Sequence, residues 1–173
     1  MKSDISFMQT FKDYKKTIDS IGKAKVIANY QYSFCLNQSK YISNMFYKLK
    51  ELKGFSCVYK ISLSSTKYDK TLDLFLSAKS HINYAFPQTN EVNIYTSSLY
   101  IGSSKGNVYE IMKTHLGITK EKRALSLYLN EWLSPNENIT IDIIVIENKD
   151  IIKDVEISYW EIFKPMLGTR AVK

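Results

Sequence analysis

The stretch Ile139–Ile146, which reads ITIDIIVI, carries the clearest strand pattern in the chain. Six of its eight residues are aliphatic, and all six are β-branched. A short, nearly continuous run of this kind predicts a central strand that is buried on both faces. The fold is therefore expected to be built around a sheet, with this segment in its interior.

Two more predicted strands and several predicted helices surround this segment. Phe55–Ile61 and Ser98–Gly102 are short and rich in β-branched and aromatic residues, which predicts strands. The spacing of apolar residues predicts helices over residues 69–84, 107–116, 122–133 and 150–163. Over residues 54–173 this order predicts an α+β domain with a small three-stranded, mainly antiparallel sheet flanked by helices. The helix over 69–84 would belong to an insertion at about residues 66–96.

Cap and breaker residues mark the ends of these helices. Asn107, with Glu110 three residues later, matches a capping box at a helix start. Gly117 stands where a helix C-terminal glycine belongs, and Pro87 and Pro165 end the helices that precede them.

The first third of the chain predicts a helical extension to this domain. Residues 5–28 and 38–53 both show the apolar spacing of amphipathic helices. Asn37 would cap the second helix at its start, and Gly54 would stop it. We therefore expect residues 1–53 to form a separate N-terminal helical region.

The positive charge of the chain is concentrated in this region. Residues 1–53 hold ten lysines and four acidic residues, a net charge of +6, so that residues 54–173 contribute only +1 of the formal +7. Such a segment favours binding to nucleic acid or to an acidic partner, with a solvated, lysine-rich helix face as the alternative. Only two arginines occur, which favours contacts to backbone phosphates over bidentate reading of guanine.

Length and composition exclude several classes of protein. The 173 residues are 45% hydrophobic, which excludes a disordered chain. No run of 18 apolar residues is present, so no membrane contact is expected. The first residues include acids and lack the apolar core of a signal peptide. The two cysteines, Cys35 and Cys57, form neither a disulfide framework nor a metal-ligand pattern, and we expect a cytoplasmic protein.

Four residues outside the basic region could carry chemistry. Tyr59 and Tyr100 lie in the first two predicted strands of the domain, His115 lies on the helix after the second strand, and Glu156 lies in the last helix. Hydrolysis of a phosphodiester needs a group that handles the attacking water and a carboxylate that can hold a divalent metal. Taken singly, each of these residues is more often a packing or surface residue than a catalytic one.

Taken together, these residues resemble the GIY-YIG nuclease superfamily. In that family two strands carry the motifs that give the name, a helix carries an arginine and often a histidine, and a later helix carries the catalytic glutamate. Here Cys57-Val58-Tyr59 stands for the first motif, and Tyr100-Ile101-Gly102 matches the second letter for letter. His115 and Glu156 follow in the family's order, and the resemblance spans about residues 55–170.

The resemblance implies a divalent-metal-dependent endonuclease that hydrolyses DNA phosphodiester bonds, of a restriction or defence kind. Tyr59 would act as general base or would orient the attacking water, while Tyr100 and His115 would position water or phosphate. Glu156 would bind one Mg²⁺ or Mn²⁺ ion, which would polarise the phosphate and the leaving oxygen. DNA is the partner implied, and RNA is left open.

The sequence departs from the family pattern in three places. Cys57 stands where the first motif usually has glycine. Tyr59 and Tyr100 are forty-one residues apart, where the family has about ten, and the helical insertion would account for the difference. Ile111 occupies the position of the family's arginine, four residues before His115.

Three cations could take the place of that arginine and are the candidate phosphate-binding residues. Lys105 lies in the turn after the second motif, Lys113 lies on the same helix as Ile111, and Arg123 lies on the next predicted helix. If none of them does, cutting would be lost or weakened. The alternatives are therefore a catalytically impaired GIY-YIG-fold module that binds nucleic acid, and a protein-interaction domain without nucleic acid.

Overall fold

The computed structural model describes residue 22 and residues 24–64, 68–90, 96–119 and 125–169. These residues contain an antiparallel sheet of four strands in the order β1-β4-β2-β3. The strands are β1 (Val26–Cys35), β2 (Ser56–Leu63), β3 (Ser98–Ser104) and β4 (Asn138–Ile146). The helices are α1 (Ser39–Glu51), α2 (Tyr68–His81), α3 (Val108–Leu116) and α4 (Ile152–Phe163).

The strand β4 lies inside the sheet, between β1 and β2, as its sequence predicts. Its burial alternates along the strand. Ile139, Ile141 and Ile143 are fully buried, whereas Thr140 and Asp142 between them are half-buried. The predicted central position is confirmed, although one face of β4 is covered more completely than the other.

The sheet has one strand more than the sequence predicts, because β1 comes from the N-terminal region. The predicted helix over residues 5–28 conflicts with a strand that begins at Val26. From there β1 pairs with β4 along its length, down to Cys35 opposite Asn138. The prediction of three strands is therefore wrong, as is that of helix at residues 26–28. Residues 5–21 and 23 of the predicted helix lie outside the described residues.

The strand pattern of β1 is visible in its sequence once the helix is set aside. Tyr30, Tyr32 and Phe34 alternate with polar residues, so that they share one face of the strand. That face joins the main core, in which Phe34 is 2% exposed. A period of two, and not of 3.6, decides the structure here because a long partner strand is available to pair with it.

The main core lies on one face of the sheet. Met45 and Leu49 of α1 and Met112 and Leu116 of α3 are fully buried there. An aromatic cluster in this core joins residues of α2 and the segment after it to residues that precede β4. Its rings make edge-to-face contacts among Phe75, Phe86, Tyr128 and Trp132.

The opposite face of the sheet packs against α4. Ile152 and Val155 of this helix are buried against Val58, Ile101 and Ile146. Neighbouring residues of β2 and β3 therefore face different cores, since side chains alternate along a strand. This alternation decides on which side of the sheet each candidate residue lies.

Over residues 125–133, the segment before β4 is not the helix that the sequence predicts over residues 122–133, and residues 122–124 lie outside the described residues. Residues 125–128 are irregular, and only Leu129–Glu131 forms a short 3₁₀ turn. Leu125 and Tyr128 have positive φ angles of 64° and 49°, which a helix cannot contain. Backbone groups of this segment are instead used by side chains, as when the indole N–H of Trp132 donates to the Leu127 carbonyl at 2.7 Å.

The predicted ends of α3 are confirmed, whereas the start of α1 differs. The Asn107 side chain accepts the backbone N–H of Glu110, and Gly117 ends α3 with a φ of 76°. Gln38, and not Asn37, is the N-cap residue of α1, and it makes no side-chain cap bond. The Asn37 side chain is instead bonded to that of Asn136 at 2.7 Å.

The chain after α4 runs along part of the outer strand β3. The backbone N–H groups of Met166 and Leu167 donate to the carbonyls of Ser98 and Leu99, both at 2.9 Å. Gly168 follows with a φ of 92°, and a side chain there would collide with the ring of Tyr100. The first half of β3 is thereby covered at its outer edge.

Candidate functional site

Tyr59 occupies the middle of β2 and faces the main core. Its side chain is buried, and its hydroxyl lies 2.9 Å from Nε2 of His115. Directly across the strand pair is Gly102, the glycine of the second motif. A Cβ atom at this position would collide with the hydroxyl of Tyr59, so the tyrosine ring occupies the space that a side chain would need. The two motifs are thus packed against each other through these two residues.

The tautomer of His115 follows from its two hydrogen bonds. Its Nδ1 accepts the backbone N–H of Leu127 at 3.2 Å, and an acceptor nitrogen carries no proton. The proton of the neutral ring is therefore on Nε2, which donates to the hydroxyl oxygen of Tyr59. Burial lowers the pKa of His115 to about 3, because desolvation disfavours the charged ring. His115 is thus a neutral hydrogen-bond donor at neutral pH.

Tyr100 completes an aromatic group with these two residues. Its ring centroid lies 5.0 Å from that of His115 and 6.4 Å from that of Tyr59. Burial, with a smaller contribution from the charge of Glu156, raises the pKa of Tyr100 to about 12. Burial also raises the pKa of Tyr59 well above its usual value, and the charges of Tyr100 and Glu156 raise it further by smaller amounts. Both tyrosines are therefore protonated at neutral pH.

Glu156 reaches the same part of the sheet from the opposite face. It lies on α4, and its carboxylate accepts hydrogen bonds from the Ser103 hydroxyl and from Lys153, the latter at 2.6 Å. The Glu156 side chain is 12% exposed. Its charge contributes to the raised pKa values of both tyrosines across the sheet. The structure thus brings Tyr59, Tyr100 and His115 together on one face, with Glu156 near them on the other.

Two of the three predicted phosphate-binding cations, Lys105 and Lys113, are not part of this group. Lys105 is exposed in the turn between β3 and α3. Lys113 pairs with Glu110 at 3.2 Å and lies over the ring of Tyr109, which places it on the outer side of α3. Arg123 lies outside the described residues. Ile111, at the position of the family's arginine, is half-buried and packs against the main core.

Two residues that contact the candidate carboxylate were not found by sequence reasoning. Lys153 precedes Glu156 by three residues on the same helix, a spacing that brings side chains together. Ser103 directly follows the second motif, on the opposite face from Tyr100. The first could have been found from its spacing, but the second depends on where α4 packs, which no local pattern reveals.

Comparison with known proteins adds no relative. No family model, no curated protein and no solved structure matches the chain.

The residues around Glu156 bear on whether a metal ion fits. Within the described segments, no three His, Cys, Asp or Glu residues are grouped so that they could hold a metal. Mg²⁺ differs from most metals in this respect, because it keeps several waters and is held by one or two carboxylates together with substrate phosphates. The single, mostly buried carboxylate of Glu156 fits that mode of binding. Lys153 already bonds to Oε2 of Glu156, so an ion there would share or displace that contact.

In the segments that the structure describes, no helix combines the length and the apolar character needed to cross a bilayer.

Proposed function

We propose that the chain is a divalent-metal-dependent endonuclease of the GIY-YIG kind that hydrolyses phosphodiester bonds in DNA. The observation that carries this proposal is the grouping of Tyr59, Tyr100 and His115 around Gly102, with Glu156 on the other side of the same strand. These residues are far apart in the sequence, and simple core packing does not require a histidine, two tyrosine hydroxyls and a carboxylate at one place.

In this proposal Tyr59 orients the attacking water and does not act as its base. Its pKa is raised well above the usual value, so the phenolate is scarce at neutral pH. Its oxygen already accepts the Nε2 proton of His115, which leaves the hydroxyl proton for donation to a water or to a phosphate oxygen. His115 holds this orientation as a neutral ring and transfers no proton itself, because its pKa is about 3.

Glu156 would hold the divalent ion, which as a Lewis acid supplies charge stabilisation to the phosphoryl oxygens. The carboxylate is oriented for this by Ser103, which bonds to it from the neighbouring strand. Lys153 provides a positive charge beside the carboxylate, where Ile111 provides none at the position of the family's arginine. Among the described residues, α4 thus supplies a cation at the proposed site, whereas the resemblance would place one on α3.

The test is nicking of supercoiled plasmid with Mg²⁺ or Mn²⁺, with Glu156→Gln as the informative variant. We expect a rate at least about a hundredfold below that of the parent, the usual loss for a group that stabilises transition-state charge. Glu161→Gln is the matched control, because Glu161 lies on the same helix and pairs with Lys164 at the same spacing of three residues. Equal activity of parent and Glu156→Gln, or no nicking by the parent, contradicts the proposal.

A second function is favoured by Ile111, namely a module that binds nucleic acid without cutting it. Replacement of an arginine by a half-buried isoleucine removes a charge that phosphate cleavage uses. This alternative predicts salt-dependent DNA binding that is the same with EDTA as with Mg²⁺ and is unchanged by Glu156→Gln. Binding of this kind together with an absence of nicking would select it over the nuclease.

A further inference from the structure

A group of cations lies between the end of α1 and the start of α3. Gly54 after α1 donates its backbone N–H to the carbonyl of Gly106 at 2.9 Å, and the two glycine backbones are in close approach. This contact brings the last turn of α1 against the turn that leads out of β3. The result is a depression of about 370 Å³ lined by Lys50, Lys53, Asn107, Tyr109 and Glu110.

The charges around this depression are predominantly positive. Lys50 lies over the ring of Tyr109, 5.6 Å from its centroid. Glu110 is the acidic residue in the lining, and Lys113 already neutralises it at 3.2 Å. In the part of the chain that the structure describes, Lys53 forms no ion pair, and the same is true of Lys105 in the adjoining turn. The depression is therefore suited to an anion.

Asn107 adds a neutral donor of suitable polarity. Its side-chain oxygen caps α3 by accepting the backbone N–H of Glu110. Its NH₂ group is left for a ligand, and that group can donate but cannot accept. Two ammonium groups and an amide donor match the oxygen atoms of a phosphodiester, which accept hydrogen bonds and carry negative charge.

The position of the depression relates it to the candidate site. Asn107 follows Ser103, the residue bonded to Glu156, by four residues. A chain of four residues spans at most about 14 Å, whereas phosphates along one strand of a duplex advance about 3.4 Å along the helix axis per nucleotide. The Cα atoms of Ser103 and Asn107 are thus at most about 14 Å apart, which equals the axial length of about four nucleotides of a duplex.

We propose that this depression binds a backbone phosphate of duplex DNA that flanks the phosphate to be cut. The inference rests on the proposed function for the identity of the ligand, but binding of DNA at this place does not require cleavage. Lys50 and Lys53 supply the charge, and Asn107 supplies the hydrogen bond. Lys50 and Lys53 are thus held against the turn that follows β3 and do not form a detached arm.

The test measures binding of a fluorescent DNA duplex by anisotropy, with the full chain in EDTA, so that cleavage plays no part. The informative variant is Lys50→Gln with Lys53→Gln. The matched control is Lys40→Gln with Lys70→Gln, which removes the same charge from exposed positions that do not line the depression. We expect the slope of log affinity against log salt concentration to fall by nearly 2 in the first variant. In the control we expect it to change by less than half as much.

Two further arms make the result decisive. Lys50→Arg with Lys53→Arg keeps the charge and should restore binding to within about threefold of the parent, which separates loss of charge from loss of fold. Inorganic phosphate should displace the duplex only at millimolar concentration. Equal losses in the informative and control variants, failure of the arginine variant to bind although it folds, or displacement by micromolar phosphate would each overturn the proposal. Intact binding at this place without nicking would overturn the nuclease assignment alone.

Discussion

Gly102 is the residue at which the two sides of the candidate site meet. On the main-core side, the hydroxyl of Tyr59 occupies the space above it, and on the other side its neighbour Ser103 bonds to Glu156. The glycine of the second motif therefore has a steric role that does not depend on its backbone freedom. It leaves room for a tyrosine from the strand beside it.

Gly102→Ala should displace Tyr59 and break its hydrogen bond to His115. We expect a loss of about 1–3 kcal/mol in the free energy of unfolding, as is usual when a methyl group is forced into a packed core. Urea denaturation checks this value. Gly22→Ala is the control, because a Cβ there meets nothing within 4 Å. A Gly102→Ala chain as stable as the parent would show that the ring of Tyr59 does not occupy this space.

The lowered pKa of His115 makes stability depend on pH. The unfolded chain takes up a proton on this histidine below its ordinary pKa of 6.5, whereas the folded chain does so only near pH 3. The contribution of His115 to the free energy of unfolding is therefore present above pH 6.5. It is lost as the pH falls from 6.5 toward 3, at up to about 1.4 kcal/mol per pH unit. Urea denaturation between pH 4.5 and 7.5 should show this slope.

Replacement of each histidine separates this effect from other acid-sensitive groups. His115→Gln should reduce the slope of the free energy of unfolding against pH by the amount that corresponds to about one proton. The same variant should also be less stable than the parent at pH 7.5. His81→Gln should leave the slope unchanged, because His81 is exposed at the end of α2. Identical slopes in the two variants would mean that His115 is not held neutral in the folded chain.

At the scale of the element, β1 changes how the N-terminal region is understood. The sequence predicts a helix as far as residue 28 and no strand in this region, yet Val26–Cys35 forms an outer strand whose apolar side chains enter the main core. At least from Val26 onward, the basic region is thus continuous with the sheet. The lysines of α1 that follow are consequently held at a definite place relative to β3.

Phe34→Ala tests whether β1 is an integral part of the fold. Phe34 is 2% exposed in the main core, and its truncation should lower the free energy of unfolding by about 3–5 kcal/mol. Ser33→Ala is the neighbouring control, since Ser33 faces the other side and makes an exposed hydrogen bond to Thr140 at 2.8 Å. That variant should lose less than about 1.5 kcal/mol. Thermal unfolding monitored by circular dichroism provides the comparison. A small effect of Phe34→Ala would show that β1 is not an integral part of the core.

At the scale of the whole molecule, sequence patterns predicted the elements whose structure depends on residues that are close together in the chain. The strand β4, the cap at Asn107 and the end of α3 at Gly117 follow from residues close to one another in sequence. The failures at β1 and at residues 125–133 have a different cause, since there distant partners decide the structure. A long partner strand decides the conformation of β1, and the bonds of Leu127 to His115 and Trp132 hold the irregular segment.

The same distinction applies to the candidate site. Tyr59, Tyr100, His115 and Glu156 could be selected from the sequence because they follow one another in the order of the motifs that the chain resembles. The contacts of Glu156 with Ser103, and the nearness of Lys50 and Lys53 to Asn107, arise only when α4 and α1 pack on the sheet. A sequence can indicate which side chains are candidates, but their common location is a property of the assembled fold.

The placement of the candidate residues on the two faces of the sheet restricts how a substrate can approach. A ligand that touched both Tyr59 and Glu156 could not lie flat on either face of the sheet, because each face presents only one of them. It would have to come in edge-on at the rim of β3, beyond the part that Met166 and Leu167 cover. The order of the strands thus sets the direction of access. A polymer backbone would pass across the outer edge of the sheet, along β3.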